Sequence, residues 1–243
     1  MHRRDFFSRT LGGVRLGHRS FEEAFLCATW APGASTNLFR IEKTAVGVYA
    51  ALARQQALTN CNAAIFVNSQ DVLVVDAHSK PSAAAALIAQ IRKEVTTKPV
   101  RYLVNSHFHW DHTQGDAAYK AGGAKVDIIA SDATKQLMTQ LSRNRLKESL
   151  DGVPKQIDDV QARLAKATSA ADKARYTDLI GQLKAYQVEM KSFTLELPTI
   201  TFAKSHVIND SAGDIHIEFT GAPTPPAMSR CSRRRNALSR RET

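Results

Sequence analysis

The segment most able to do chemistry is Asn105-Ser106-His107-Phe108-His109-Trp110-Asp111-His112-Thr113-Gln114-Gly115-Asp116. Three of the chain's eight histidines, with an aspartate, fall within residues 107–112. Neutral imidazole and carboxylate are ligands that zinc accepts alongside thiolate. A lone histidine is usually a hydrogen-bonded core or surface residue, but packing alone rarely gathers three beside an aspartate. On a helix His107, His109 and Asp111 cannot share one face, because residues two apart point in different directions. The cluster therefore calls for a loop, in which a strand end fixes the first ligand and a turn folds the others back. That pattern predicts a metal site.

The elements needed to position such a loop are legible on both sides of it. Ala64 to Val67 and Val72 to Val75 read as two apolar strands joined by the turn residues 68–71, the second ending at Asp76. Ser79 suits a helix N-cap and Pro81 the first turn of an alanine-rich helix running to about Val95. Pro99 to Val104 is a short buried-type strand that leads straight into the cluster, and Val126 to Ala130 is a further strand. From Ser131 to about Lys191 apolar residues recur every three or four positions, which marks amphipathic helices. Gly152 and Pro154 are expected to break the first, and Ser169 to cap the last. Strand character returns at Phe193 to Leu197, Ile200 to Phe202 and Ile215 to Phe219. A helical insertion at 131–191 inside a strand-rich domain is the expected outcome, serving as a lid or an oligomer contact.

The motif His107-x-His109-x-Asp111-His112 after an apolar strand resembles the metal-binding loop of the metallo-β-lactamase fold superfamily. Val74-Val75-Asp76 resembles the strand-ending aspartate that precedes this loop in that family. The likeness covers roughly residues 40–130, and more weakly 193–221. It implies an α/β fold, an αβ/βα sandwich with the helical hairpin inserted. It also implies a two-zinc hydrolase. His107 and His109 would bind the first ion, and Asp111 and His112 the second. A hydroxide held between them would attack an ester, thioester, lactone or β-lactam carbonyl of a small-molecule substrate. Zinc lowers the pKa of its water toward about 7 and polarises the bond attacked. Asp111 would help orient that hydroxide, and Asp76 would hold the loop or a ligand histidine from behind. Redox members of the family carry a carboxylate where this chain has His109, which favours zinc over iron.

The chain departs from the family pattern after Phe219. The family supplies a third histidine for the first zinc, a bridging aspartate and a final histidine in later loops. Here no histidine follows His216, and His206 and His216 read better as strand residues than as substitute ligands. Read one base earlier, the codons of Ala222 to Ser229 permit Ala-His-Thr-x-Gly-Asp-Val, a loop of the missing kind. A frameshifted Arg/Pro-rich tail over 222–243, outside the fold, is one expectation; a natural basic tail is the other. Either leaves the second half of the sandwich incomplete and the zinc content at one ion or fewer. The competing functional reading is an inactive fragment, or an interaction protein acting through the helical hairpin.

Composition narrows the field. The chain is 243 residues, 43% hydrophobic and 23% charged, which fits a folded domain rather than a disordered one. Three well-separated cysteines, Cys27, Cys61 and Cys231, supply neither a disulfide framework nor a paired-cysteine metal knuckle. No apolar run is long enough to span a membrane. The net charge of +10 suggests nucleic acid, but it resides at the ends. Residues 1–19 hold five Arg and one Asp, and residues 222–243 hold six Arg and one Glu, so the body between them is nearly neutral. A phosphate-binding face needs clustered cations on a folded surface, so no nucleic-acid partner is expected. The start, Arg3-Arg4-Asp5-Phe6-Phe7, resembles a twin-arginine export signal, although Arg15, Arg19, Glu22 and Glu23 interrupt the apolar stretch that should follow. If residues 1–35 are a signal, the protein is periplasmic or secreted; otherwise it is cytoplasmic.

Overall fold

The computed structural model describes residues 38–54, 60–221 and 228–234. The export-like start, Cys27 and the tail segments 222–227 and 235–243 lie outside the described residues. Seven strands form one mixed sheet in chain order: β1 (Phe39–Ala45), β2 (Val48–Ala53), β3 (Ala63–Val67), β4 (Val72–Val75), β5 (Val100–Val104), β6 (Asp127–Ser131) and β7 (Ile200–Phe202). Pairing is antiparallel from β1 to β4 and parallel from β4 to β7. The switch follows from the connections. Short turns return β1 to β2 and β3 to β4, whereas helix α1 (Pro81–Glu94) carries the chain from β4 across to β5. A second sheet holds β8 (Ser205–Ile208), β9 (Asp214–Phe219) and β10 (Ser229–Arg234), in the order β10-β9-β8.

Each sheet face has its own core. Ile65, Val72, Val74 and Leu103 point to one side, where Leu87 and Ile91 of α1 cover them. Phe66, Leu73, Val104 and Ile129 point to the other and meet Ile208, Ile215 and Ile217 of the small sheet. Helix, large sheet and small sheet are thus stacked in layers, a mixed α/β fold. Alternation along each strand dictates this, since neighbouring side chains leave opposite faces.

The inserted hairpin is made of α4 (Asp132–Lys166) and α5 (Ala170–Met190), labelled after the one-turn helices α2 (Trp110–Thr113) and α3 (Asp116–Tyr119). Ser131 caps α4 by accepting from the Thr134 N–H, and Ser169 caps α5 by accepting from the Asp172 N–H. Val153, Ile157 and Val160 of α4 pack on Leu183, Tyr186 and Met190 of α5. That seam corrects the expected break at Gly152 and Pro154, which lie inside one continuous helix. An interior proline costs about 3 kcal/mol, and here the two flanking turns of buried apolar contact offset it.

Three further expectations are corrected. Phe193 to Leu197 is not a strand and runs as an irregular link to β7. The N-cap of α1 is Lys80 without a side-chain bond; Glu189 of α5 takes the Ser82 N–H at 2.6 Å and the Ser82 hydroxyl at 2.7 Å instead. The tail was expected outside the fold, yet Ser229–Arg234 pairs antiparallel with β9. Backbone pairing is indifferent to arginine content. Alternation turns Cys231 inward opposite Ile217, while the Arg233 guanidinium reaches back to donate to the carbonyl of Val67 at 2.8 Å and to the Asn68 side chain. Arg233→Ala is expected to lose about 1–3 kcal/mol in urea unfolding, because those acceptors lose a charged donor. Among the described residues no helix is long and apolar enough to cross a membrane.

Candidate metal centre

The C-terminal ends of β4 and β5 bring the site together. Asp76 directly follows β4; it is buried and carries a positive φ of 69°. A left-handed conformation is uncommon for a residue with a side chain, and it clusters at functional turns. Here it sends the carboxylate under the loop that leaves β5. One oxygen accepts the Ser106 N–H at 2.8 Å; the other accepts the Ser106 hydroxyl and His112 Nδ1, each at 2.8 Å.

This network fixes the next ring. Ser106 spends its hydroxyl proton on Asp76, so its oxygen is the acceptor for His107 Nδ1 at 3.0 Å. The neutral His107 therefore has a bare Nε2. That atom faces His109 Nδ1 at 3.1 Å. Burial drives the His107 pKa down to about 3, and it also lowers that of His109, so both rings are neutral and have lone pairs to offer. His112 differs. Burial would lower it, but Asp76 on one side and Asp111 Oδ2, 3.4 Å from Nε2 on the other, raise it well above the ordinary imidazole value. Burial would in turn raise Asp111, and the His112 charge outweighs it, pulling the carboxyl down to about 2.

The predicted residues thus come together, with ring centroids 4.6 Å apart for His107 and His109 and 4.1 Å for His107 and His112. They pack on one another rather than around an opening. As the side chains stand, among the described residues no three His, Cys, Asp or Glu groups are arranged to hold one ion. The expected loop is also only partly a loop, because Asp111 and His112 lie on the one-turn helix α2, where successive positions splay to either side. His206 stacks on Phe202, and His216 sits opposite Ser232 on β9. The cluster is built without either.

Several supporting residues went unassigned in the sequence, and of these only Asn105, Gln114 and Asp116 lie in the quoted segment. Asn105 donates to Asp116 Oδ1 at 2.9 Å beneath the loop. Burial raises the Asp116 pKa well above the usual carboxylate range. Tyr186 of α5 donates to Gln114 Oε1 at 3.1 Å, tying the hairpin to the site. His78, fully buried with φ 69°, faces Cys61 Sγ at 3.2 Å. Arg145 of α4 lies over the Phe108 ring, 4.9 Å from its centroid. Only the neighbourhood of the motif flagged the first of these; nothing in the sequence pointed to Arg145.

The pattern of the metallo-beta-lactamase superfamily matches residues 57–176, a span that contains β3 to α4 and the whole cluster. Over that span, just under half of its length, the chain has the metallo-beta-lactamase superfamily pattern. Among solved structures it is similar to a metallo-beta-lactamase from Pontibacter korlensis, at 13% identity and a TM-score of 0.50, covering 80% of this chain and 66% of that one. It is also similar to a metallo-beta-lactamase from Hirschia baltica, at 14% identity and a TM-score of 0.48, with the same two coverages. The chain spans just under two thirds of the length of these two neighbours. At such identities the likeness is one of fold.

Proposed function

We propose that the chain is a zinc-dependent hydrolase acting on an ester, thioester, lactone or β-lactam carbonyl. The observation that carries this reading is the orientation of the imidazoles. His107 and His112 each have the outer nitrogen engaged, by Ser106 and by Asp76, while the inner nitrogen turns to the cluster. Ligand histidines are held in this way, with the second nitrogen fixed by a hydrogen-bonding partner. The donor set of imidazoles and carboxylate suits zinc.

His107 and His109 would hold one ion and Asp111 with His112 a second, two in a complete site. When bound, zinc supplies the acidity that ionises water near neutral pH and polarises the carbonyl under attack. Asp111, ionised because His112 stands beside it, would help orient the attacking water. His112 would offer Nε2 to the second ion, its proton passing to solvent, because a ligating imidazole must be neutral. Asp76 keeps Ser106 and His112 in position throughout.

The second reading, an inactive fragment or a protein acting through its hairpin, is favoured by the closed packing of the rings and the absence of a three-donor group among the described residues. Zinc analysis of the purified full-length chain separates the two. One or two tightly held ions, with ester or lactam hydrolysis lost to a chelator and restored by zinc, supports the hydrolase. Less than one weakly held ion and no turnover supports the fragment.

A further inference from the structure

The helical hairpin contributes a side chain to the mouth of the site. Phe108, Trp110, Phe193 and Leu195 line a narrow cleft beside the cluster, with Ser142 and Arg145 of α4 on its other wall. Phe108 and Trp110 flank His109 in the chain, so the cleft and the metal centre share a wall. The three groups also touch in series, His109 meeting Phe108 edge-on. The His109 ring centroid is 4.7 Å from that of Phe108, and the Arg145 guanidinium lies 4.9 Å from the same ring. Arg145 is half-buried, and among the described residues no carboxylate pairs with it.

A guanidinium stacked on a ring uses its face and leaves its N–H edges free. Those edges match a carboxylate with two parallel hydrogen bonds. An unpaired, partly desolvated cation is held at a cost unless something fills the donors. Phe108, Trp110, Phe193 and Leu195 give an apolar body a surface to lie along, while Thr113, Gln114 and Ser142 complete the lining with uncharged polar groups. A partner charge of this kind is not demanded by folding, since the hairpin already has its own apolar seam and the Tyr186–Gln114 tie.

We propose that Arg145 is a specificity-determining residue that binds a free carboxylate on the substrate, with the apolar body of the same molecule lying along Phe108, Trp110 and Phe193. This rests on the hydrolase reading for the bond cleaved, and it restricts the substrates to organic acids whose ester, thioester or lactam lies beyond an apolar spacer. The hairpin is then a reader of substrate charge.

The probes are benzoate and benzamide, which share a ring and differ in charge, titrated against the zinc-loaded full-length chain by tryptophan fluorescence. Arg145→Gln keeps much of the stem, and unchanged circular dichroism checks its fold. The variant is expected to weaken benzoate by about tenfold or more and to leave benzamide within about twofold of wild type. Arg145→Lys should recover part of the loss. Benzoate binding unchanged in Arg145→Gln, as when the metal alone holds it, overturns the proposal, and so does equal weakening of both probes. A second measurement compares mono-4-nitrophenyl glutarate with neutral 4-nitrophenyl butyrate. Loss of Arg145 should raise KM for the acid ester alone, with kcat kept. If both esters are hydrolysed equally well by wild type and variant, the proposal falls and the hydrolase stands. If neither ester is cleaved while benzoate binding still depends on Arg145, the hydrolase reading falls and the carboxylate site stands.

Discussion

Asp76→Ala is expected to lose stability and metal affinity together. The carboxylate accepts from the Ser106 N–H, the Ser106 hydroxyl and His112 Nδ1, all at 2.8 Å and all buried or nearly so. Alanine leaves the backbone donor and the charged ring without an acceptor. Removing one partner of a buried ion pair costs about 3–5 kcal/mol. The ring orientation suffers as well. Without Asp76 the Ser106 hydroxyl is free to turn, and its oxygen no longer fixes the His107 tautomer. Loss of such a supporting group lowers metal affinity by roughly 10–100-fold. Urea unfolding and a zinc competition against a chromophoric chelator measure the two effects separately. Asp76→Asn is the informative companion. It fills the same volume but offers one acceptor oxygen and an NH2 group that must oppose either His112 or Ser106. It should recover little of either loss. An alanine variant within about 0.5 kcal/mol of wild type, the range of an ordinary surface change, would show that Asp76 does not hold the loop.

The legible parts of this protein are those governed by local pattern. The hairpin of β3 and β4 follows from two apolar runs around a polar turn, α1 from Pro81 and its alanines, and the start of α5 from Ser169. The cluster at 107–112 was legible because it is dense in metal-ligand types and follows a strand. What local pattern missed is set by contacts distant in sequence. Strand β1, Phe-Arg-Ile-Glu-Lys-Thr-Ala, is an edge strand mostly exposed past Phe39, held by the backbone of β2 and by Phe39 in the core. Pro154 reads as a stop until its flanking turns find α5. Ser229–Arg234 reads as a basic tail until β9 presents an unpaired edge. Arg145 lies more than 30 residues from His109 and is brought near by the return of α4 over the loop, a geometry no spacing rule encodes.

Gly115→Ala is expected to prevent the native fold, for reasons that the glycine's own dihedrals do not reveal. Its φ of −84° is open to any residue, so backbone freedom is not the issue. Space is the issue. A methyl group at this position would lie 1.8 Å from the Ala77 carbonyl oxygen and 2.8 Å from the Ala84 methyl. Neither neighbour can swing away. The Ala77 peptide sits between Asp76 and His78, both left-handed at φ 69°. It is also fastened to the site segment on either side, with the Ala77 N–H donating to the His112 carbonyl at 2.9 Å and the Gly115 N–H donating to the His78 carbonyl at 3.2 Å. Moving the Ala77 oxygen therefore moves Asp76 and with it the imidazole cluster. The expected loss is more than about 4 kcal/mol, the range in which single changes become exceptional, and it should appear as insoluble expression or a collapsed thermal midpoint. Gly181→Ala supplies the contrast. That glycine is exposed on α5 with nothing within 4 Å of the added methyl. The same substitution there should stabilise by about 1 kcal/mol through helix propensity. Opposite signs from one chemical change would locate the constraint in the close approach of the two loops. A soluble Gly115→Ala protein with the wild-type midpoint would mean that they do not approach this closely.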